Sequence, residues 1–275
     1  MKTLYISDLD GTLLRSDGTP SDYTVKTVND LLDKGMNITF ATARSFSSAA
    51  KILPKFNLKL PAATMNGTLL SCANGEQKKV FYIEKQVAEK VVEIFLSHGR
   101  PPFVYTYTAD GFLDVHYTVN KYEYEKRFVA ERKKLYHKFE YTDSYETDGR
   151  TVYINGIDKK ETIDGICRDL DKISGVRYSA YLDTYSDGLY FLEVYSALGG
   201  KKNAAEALKN MYGFDRVVAF GDNANDAEVL RWANIGVAVG NAQPIALEAA
   251  DIVIDTNEND GVAKYLLERY KKGDL

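Results

Sequence analysis

The sequence predicts an α/β protein: a parallel sheet with helices on both faces, interrupted by an α+β insertion. Three observations carry that expectation. Short apolar runs alternate with amphipathic helical segments at both ends of the chain, the rhythm of a parallel sheet. The middle instead carries hairpin signals between alternating strands. Fourteen of the 20 tyrosines, and the whole net charge of −4, fall within 84–195, while the rest of the chain balances. The predicted division is a discontinuous core of 1–83 with 196–275, around an insertion of 84–195.

Thr3–Ser7 is an apolar run that reads as a buried strand, and it stops at a loop, Asp8-Leu9-Asp10-Gly11-Thr12. A helix follows from Asp22 to Lys34, with Val25, Val28, Leu31 and Leu32 on one face and Gly35 as its terminal cap. Asn37–Ala41 is a second strand, Ser47–Leu53 a helix ended by Pro54, and Pro61–Met65 a third short strand. In the middle, Gln86–Leu96, Lys121–Lys134 and Lys160–Ile173 read as helices. Phe103–Thr108 and Phe112–Tyr117 are strands joined by Ala109-Asp110-Gly111, and Thr151–Ile157 is another. Val176–Leu182 and Leu189–Tyr195 form a second hairpin across Ser186-Asp187-Gly188. The first rhythm then resumes: helix Lys201–Met211, strand Arg216–Phe220, helix Asp226–Trp232 and strand Ile235–Val239. Helix Pro244–Ala249, strand Ile252–Ile254 and helix Gly261–Tyr270 complete it.

The chemistry-bearing residues fall at the ends of these elements. Asp8 and Asp10, two apart after a strand, can converge where ligands bind in open α/β sheets. Close carboxylates repel, so they need a cation or a shared proton. Such a hard oxygen site suits Mg²⁺, which uses few carboxylates, several waters and a substrate phosphate. A turn in which Asp and Gly serve only the backbone is the alternative; a Ca²⁺ loop of the EF-hand kind would need its glycine two positions later. Thr42 can bond a phosphoryl oxygen or merely cap a turn. Gly221-Asp222-Asn223-Ala224-Asn225-Asp226 supplies oxygen ligands or a helix cap. Gly200-Lys201-Lys202 opens a helix with an ammonium, which is an anion site or a solvated lysine pair. Taken together, carboxylates, a hydroxyl, an amide and an ammonium fit phosphoryl transfer, where positioning and charge neutralisation supply most of the catalysis.

Asp8-Leu9-Asp10-Gly11-Thr12-Leu13, Thr42-Ala43-Arg44, Lys201 and Gly221–Asp226 resemble the four motifs of the haloacid dehalogenase (HAD) superfamily. Their order and spacing resemble its Cof-type (type IIB) phosphatases over essentially the whole chain. The resemblance implies a Rossmann-like core with an inserted cap domain of the C2B type, which sets substrate specificity. It implies Asp8 as the nucleophile forming an aspartyl-phosphate, and Asp10 as general acid and then base. It implies that Thr42 and Lys201 hold phosphoryl oxygens, and that Asp8, the Asp10 carbonyl and Asp222 bind Mg²⁺. Arg44, the turn Met65-Asn66-Gly67 and Asn225 would lie on the substrate side, with Asp226 orienting Lys201 or the metal's waters. Two positions depart from the family pattern: Ala43 and Lys202 stand where glycines are usual. Asp10 speaks against dehalogenation, since a halide leaves without a proton.

The composition is that of an ordinary globular chain, 45% hydrophobic and 27% charged, which excludes collagenous, coiled-coil and disordered classes. A net charge of −4 argues against a nucleic-acid partner. Two cysteines, Cys72 and Cys167, are too few for a disulfide framework or a zinc cluster. No apolar run is long enough to span a membrane, and the start resembles no signal peptide, so the expected compartment is the cytoplasm. The expected function is a Mg²⁺-dependent phosphatase for a small phosphorylated metabolite, with a sugar phosphate favoured by the tyrosine-rich insertion. A sugar phosphomutase and a non-catalytic regulator are the alternatives. The hairpin tips Asp110-Gly111 and Ser186-Asp187-Gly188, with His116, Tyr117, Asp183 and Tyr185, are candidates for substrate contact from the insertion.

Overall fold

Strand Thr3–Ser7 is buried along its whole length, as a central parallel strand must be. In the computed structural model, which describes residues 1–108, 110–118, 122–145, 149–182 and 188–273, it lies in the interior of a five-stranded parallel sheet. The spatial order is Ile252–Val253, Ile235–Ala238, Arg216–Gly221, Thr3–Ser7, Asn37–Phe40. Leu4 sits beside Val217 and Asn37, and Ser7 beside Phe220 and Phe40. Side chains alternate between the two faces. Leu4 and Ile6 pack with Ala204, Leu208, Ala219 and Leu230. Tyr5 packs on the other side with Val28, Leu31, Val218 and Leu266. Helix Asp22–Asp33 is started by Ser21, whose hydroxyl accepts from Thr24 N, and helix Lys201–Tyr212 stops at left-handed Gly213. Because the strands are parallel, Ser7, Phe40, Gly221 and Ala238 all end at one edge, and each is followed by a loop there.

The chain divides into two units, Met1–Lys79 with Gly200–Leu275, and Val80–Gly199. The boundaries lie four residues outside the expected 84 and 195. The reason is local bonding: Ile83 N donates to Thr151 O and Ala197 N to Gly175 O, so these short runs belong to the insertion.

The second unit is a six-stranded sheet in the order Val176–Leu182, Tyr190–Ser196, Thr151–Asp158, Phe103–Tyr107, Leu113–Tyr117, Lys138–Tyr141. Its pairs are antiparallel except the last, which is parallel. Helices Lys85–Ser97 and Lys160–Leu170 cover one face through Val91, Phe95, Ile163 and Ile166 against Val104, Ile154 and Leu192. The opposite face is aromatic: Tyr153 stacks on Tyr195, and Phe128 of helix Glu123–Arg132 lies 5.2 Å from Phe103. Glu125 of that helix forms a fully buried ion pair with Arg100.

Several elements differ from expectation. Ser47–Leu53 is a short helix, Phe46–Ala49, followed by a tight turn, Leu53–Lys55. Pro54 lies inside that turn, since a proline lacking its N–H fits the first positions of a helical turn. Leu69–Ser71, Gln77–Val80 and Lys138–Tyr141 are strands the sequence did not announce. Ala109, Lys121, Asp183, Tyr185, Ser186 and Asp187 lie outside the described residues.

Candidate active site

The loop after Thr3–Ser7 is not a simple turn. Leu9–Leu13 forms one wide helical turn, broken at Asp10 (φ −72°, ψ 122°) and Gly11 (φ 77°), and closed by Leu14 N donating to Leu9 O. It leaves Asp8 buried at the strand end and turns Asp10 outward to half exposure. Gly11 is required: a Cβ there would lie 2.4 Å from Asp222 Oδ2. Its positive φ is the second reason.

Lys201, at the start of its helix, is buried and donates to Asp8 Oδ1 and to Asp226 Oδ1, each at 2.6 Å. Between Lys201 and Lys202, the inward one is Lys201, and Lys202 pairs with Glu206. Asp226 uses its second oxygen as well, accepting from the N–H groups of Asp222 and Asn223 at 3.1 Å. Asp226 therefore organises the loop and the ammonium. Gly221 makes this possible, since a Cβ there would meet Asp226 Cβ at 2.4 Å. Thr12 donates its hydroxyl proton to Asp222 Oδ1 at 2.7 Å.

One carboxylate oxygen from each of Asp8, Asp222 and Asp226 lies within 4.8 Å of the others. Three carboxylates thus face one ammonium. Burial would lower the Lys201 ammonium, but Asp226 and Asp8 outweigh it and hold it above the usual lysine range. Burial raises the Asp8 carboxyl well above its ordinary value; Lys201 opposes this, while Asp226 and Asp222 add to it. Burial likewise pushes Asp222 up to about 6, with the Thr12 bond opposing and Asp226 adding. The site carries more negative charge than its own cation balances, which is the condition a divalent metal ion would meet. Asp8 and Asp222 fit such an ion as hard oxygen donors. Asp226 fits less well, because Lys201 and two amides already hold its oxygens.

Thr42 is fully buried beyond the end of Asn37–Phe40. Its Oγ1 accepts from Arg44 N at 3.1 Å, which leaves the hydroxyl proton to be donated. Asn66 N donates to Thr42 O and Met65 N to Arg44 O. Met65, Asn66 and Gly67 are three successive left-handed residues, with φ of 50°, 53° and 82°. Gly67 sits against Gly200, whose carbonyl oxygen would be 2.5 Å from an added Cβ. The turn is thus pressed onto the residue before Lys201. Asn225 Nδ2 donates to Asn66 Oδ1 at 3.0 Å, and Asn225 Oδ1 is buried without a hydrogen-bond partner among the described residues. Arg44 reaches Asp10: its Nε donates to Oδ2 at 2.7 Å and a terminal nitrogen to Oδ1 at 2.5 Å.

Two residues here had no assigned role in the sequence reading. Thr12 is part of the first motif, and its bond to Asp222 joins two loops that are 210 positions apart in sequence. Asn241, past strand Ile235–Ala238, donates to Gly11 O at 2.8 Å. Its signal was the same as for Asp222, a polar side chain beyond a parallel strand's carboxyl end.

A sequence model of haloacid dehalogenase-like hydrolases matches residues 5–266. The chain belongs to that family. The 5-amino-6-(5-phospho-D-ribitylamino)uracil phosphatase YitU of Bacillus subtilis (strain 168) is 25% identical over 269 residues, covering 96% of each chain. The phosphatase YcsE of the same strain, named for the same reaction, is 28% identical, covering 94% of this chain and 91% of the relative. A solved structure described as the HAD subclass IIB sugar phosphatase BT4131 superposes over 100% of both chains with a TM-score of 0.74 at 20% identity. The protein is therefore a haloacid dehalogenase-like hydrolase with a parallel-sheet core and an α+β insertion, and these curated relatives are phosphatases. No described helix is long and apolar enough to cross a membrane.

Proposed function

We propose that this hydrolase is a cytoplasmic, Mg²⁺-dependent phosphatase of a small sugar or sugar-alcohol phosphate, acting through an aspartyl-phosphate. The observation that carries the reading is the buried Lys201 ammonium between Asp8 and Asp226, 2.6 Å from each, at the carboxyl edge of the parallel sheet. An ammonium there restrains the Asp8 carboxylate and offers its remaining proton to a phosphoryl oxygen. Thr42 would donate its hydroxyl proton to another, and Asn225, held by Asn66, would lie beside them.

In the first step an Asp8 oxygen attacks phosphorus, and the bond from phosphorus to the leaving alcohol breaks. The Asp10 carboxyl gives its proton to that alcohol oxygen. In the second step Asp10, now a carboxylate, takes a proton from water as the water attacks the aspartyl-phosphate and Asp8 leaves. One group does both jobs because the two proton transfers run in opposite directions. Asp8 and Asp222, with the Asp10 carbonyl, would hold Mg²⁺, which when bound shields the anionic nucleophile from the anionic substrate.

The substrate class rests on the phosphorylated ribityl compound and sugar in the names of the similar proteins. The insertion is proposed to supply specificity, as a C2B cap does. The test is Mg²⁺-dependent phosphate release from a panel of sugar, sugar-alcohol and nucleoside monophosphates, with Asp8→Asn beside the wild type. Release lost with chelator and with Asp8→Asn is the expected result. Conversion of a hexose 1-phosphate to an isomer without free phosphate would replace hydrolysis by a mutase reaction, and no turnover would overturn the enzyme reading.

A further inference from the structure

We propose that Arg44 is a positioning residue for Asp10, setting the place of the proton donor relative to Thr42. This rests on the phosphatase reading above. The guanidinium meets both Asp10 oxygens, Nε to Oδ2 at 2.7 Å and the terminal nitrogen to Oδ1 at 2.5 Å, the fork geometry that only arginine provides. Half-exposed ion pairs between free side chains usually hold little. This one is held from several sides. Arg44 N donates to Thr42 Oγ1, and Arg44 O accepts from Met65 N. The turn at Gly18 closes on the guanidinium, and a Cβ added at Gly18 would lie 3.3 Å from the terminal nitrogen. That turn is fixed by Gly18 N donating to Arg15 O and Arg15 N donating to Thr19 O.

The consequence is geometric. Asp10 is 50% exposed and sits at the backbone break, so its side chain would otherwise sample several rotamers. Arg44 bonds the Thr42 hydroxyl through its backbone and the Asp10 carboxylate through its side chain. One residue thereby fixes the span between the group that would hold a phosphoryl oxygen and the group that would protonate the leaving alcohol. For the acid step one arm of the fork opens, and the freed Asp10 oxygen takes a proton from solvent and passes it to the leaving alcohol, while the other oxygen keeps its N–H···O bond and its place. Arg44 acts through Asp10 and touches no reacting atom in this role.

The test compares wild type, Arg44→Ala, Arg44→Lys, Asp10→Asn and the double variant Arg44→Ala/Asp10→Asn on an alkyl phosphate and on p-nitrophenyl phosphate. A good leaving group needs little protonation, so loss of a positioned acid weighs most on the alkyl ester. The expected result is a kcat loss for Arg44→Ala that is at least about tenfold larger on the alkyl ester than on the aryl ester. KM should change less than kcat. Arg44→Lys, which keeps the charge without the fork, should restore KM and leave the alkyl-ester kcat low. In the Asp10→Asn background the Arg44 substitution should cost no further kcat. Equal losses on both esters, or a loss confined to KM, overturn the proposal and make Arg44 a plain substrate contact. Additive losses with Asp10→Asn also overturn it. Wild-type enzyme inert on both esters overturns the phosphatase reading and this inference with it.

Discussion

Gly11 carries a constraint that no other residue type meets. Its φ of 77° admits glycine, and the space where a Cβ would sit is taken by Asp222 Oδ2. Gly11→Ala should therefore push Asp222 away from Asp8 and break the Thr12 bond that fixes it. The expected effect is a roughly 10- to 100-fold weaker requirement-constant for Mg²⁺ in activity titrations, the range seen when residues supporting a metal ligand are lost. The strained φ adds a stability cost of about 1 kcal/mol. Circular dichroism of the variant should show a retained fold; unchanged Mg²⁺ dependence would mean that Asp222 is not a ligand. The same reasoning separates Asp226 from Asp222. Both are aspartates of one loop, yet Asp226 spends its oxygens on Lys201 and two amides, and Asp222 keeps the more open carboxylate.

Elements bring these residues together, and some contacts between elements are readable as pH dependence. Helices Lys85–Ser97 and Lys160–Leu170 of the insertion are tied at their ends by His98 and Asp169, 2.7 Å apart. Bonds from Lys172 and His98 hold the Asp169 carboxyl at about 2, below its ordinary 3.8. A carboxyl lowered on folding adds stability above its unfolded value, and that stability is lost as pH falls through the folded one. The difference in denaturant midpoint between wild type and Asp169→Asn should be full near neutrality, shrink between about pH 4 and pH 2, and vanish below. A difference independent of pH would assign it to packing alone. Such pairings were not legible in the sequence, since they join positions 71 apart. What was legible follows local rules: Thr3–Ser7 is a strand because five apolar or small residues precede a turn, and Lys201–Tyr212 a helix because Ala204, Ala205 and Leu208 share a face. Lys138–Tyr141 was missed because Lys138 and Glu140 look like surface loop, and only Phe139 packs inward. Within the site, the motifs named Asp8, Lys201, Asp222 and Asp226, which the fold brings together; the Arg44 fork on Asp10 and the press of Gly67 on Gly200 depend on loops meeting in space.

At the scale of the whole molecule, the excess negative charge at one edge of the parallel sheet becomes a property of folding. Asp8, Asp222 and Asp226 draw together only when Thr3–Ser7 and Arg216–Gly221 pair, so an unfolded chain offers a divalent ion no such cluster. An ion that binds only the folded state stabilises it by an amount set by its concentration relative to its dissociation constant. At a hundredfold excess over that constant the gain is about 2.7 kcal/mol. For a domain of this size the melting midpoint should then rise by roughly 5–10 °C. The charge repelled in the metal-free site is local, so matched ionic strength from a monovalent salt should not reproduce the rise. Asp222→Asn removes one donor and part of the repulsion together. It should melt near or above the metal-free wild type and gain little from Mg²⁺. A scanning calorimetry series on both proteins, with Mg²⁺ and with the matched monovalent salt, checks this. A wild-type midpoint indifferent to saturating Mg²⁺, or an equal rise in Asp222→Asn, would mean that the three carboxylates are balanced by Lys201 and shared protons, with no place for the ion.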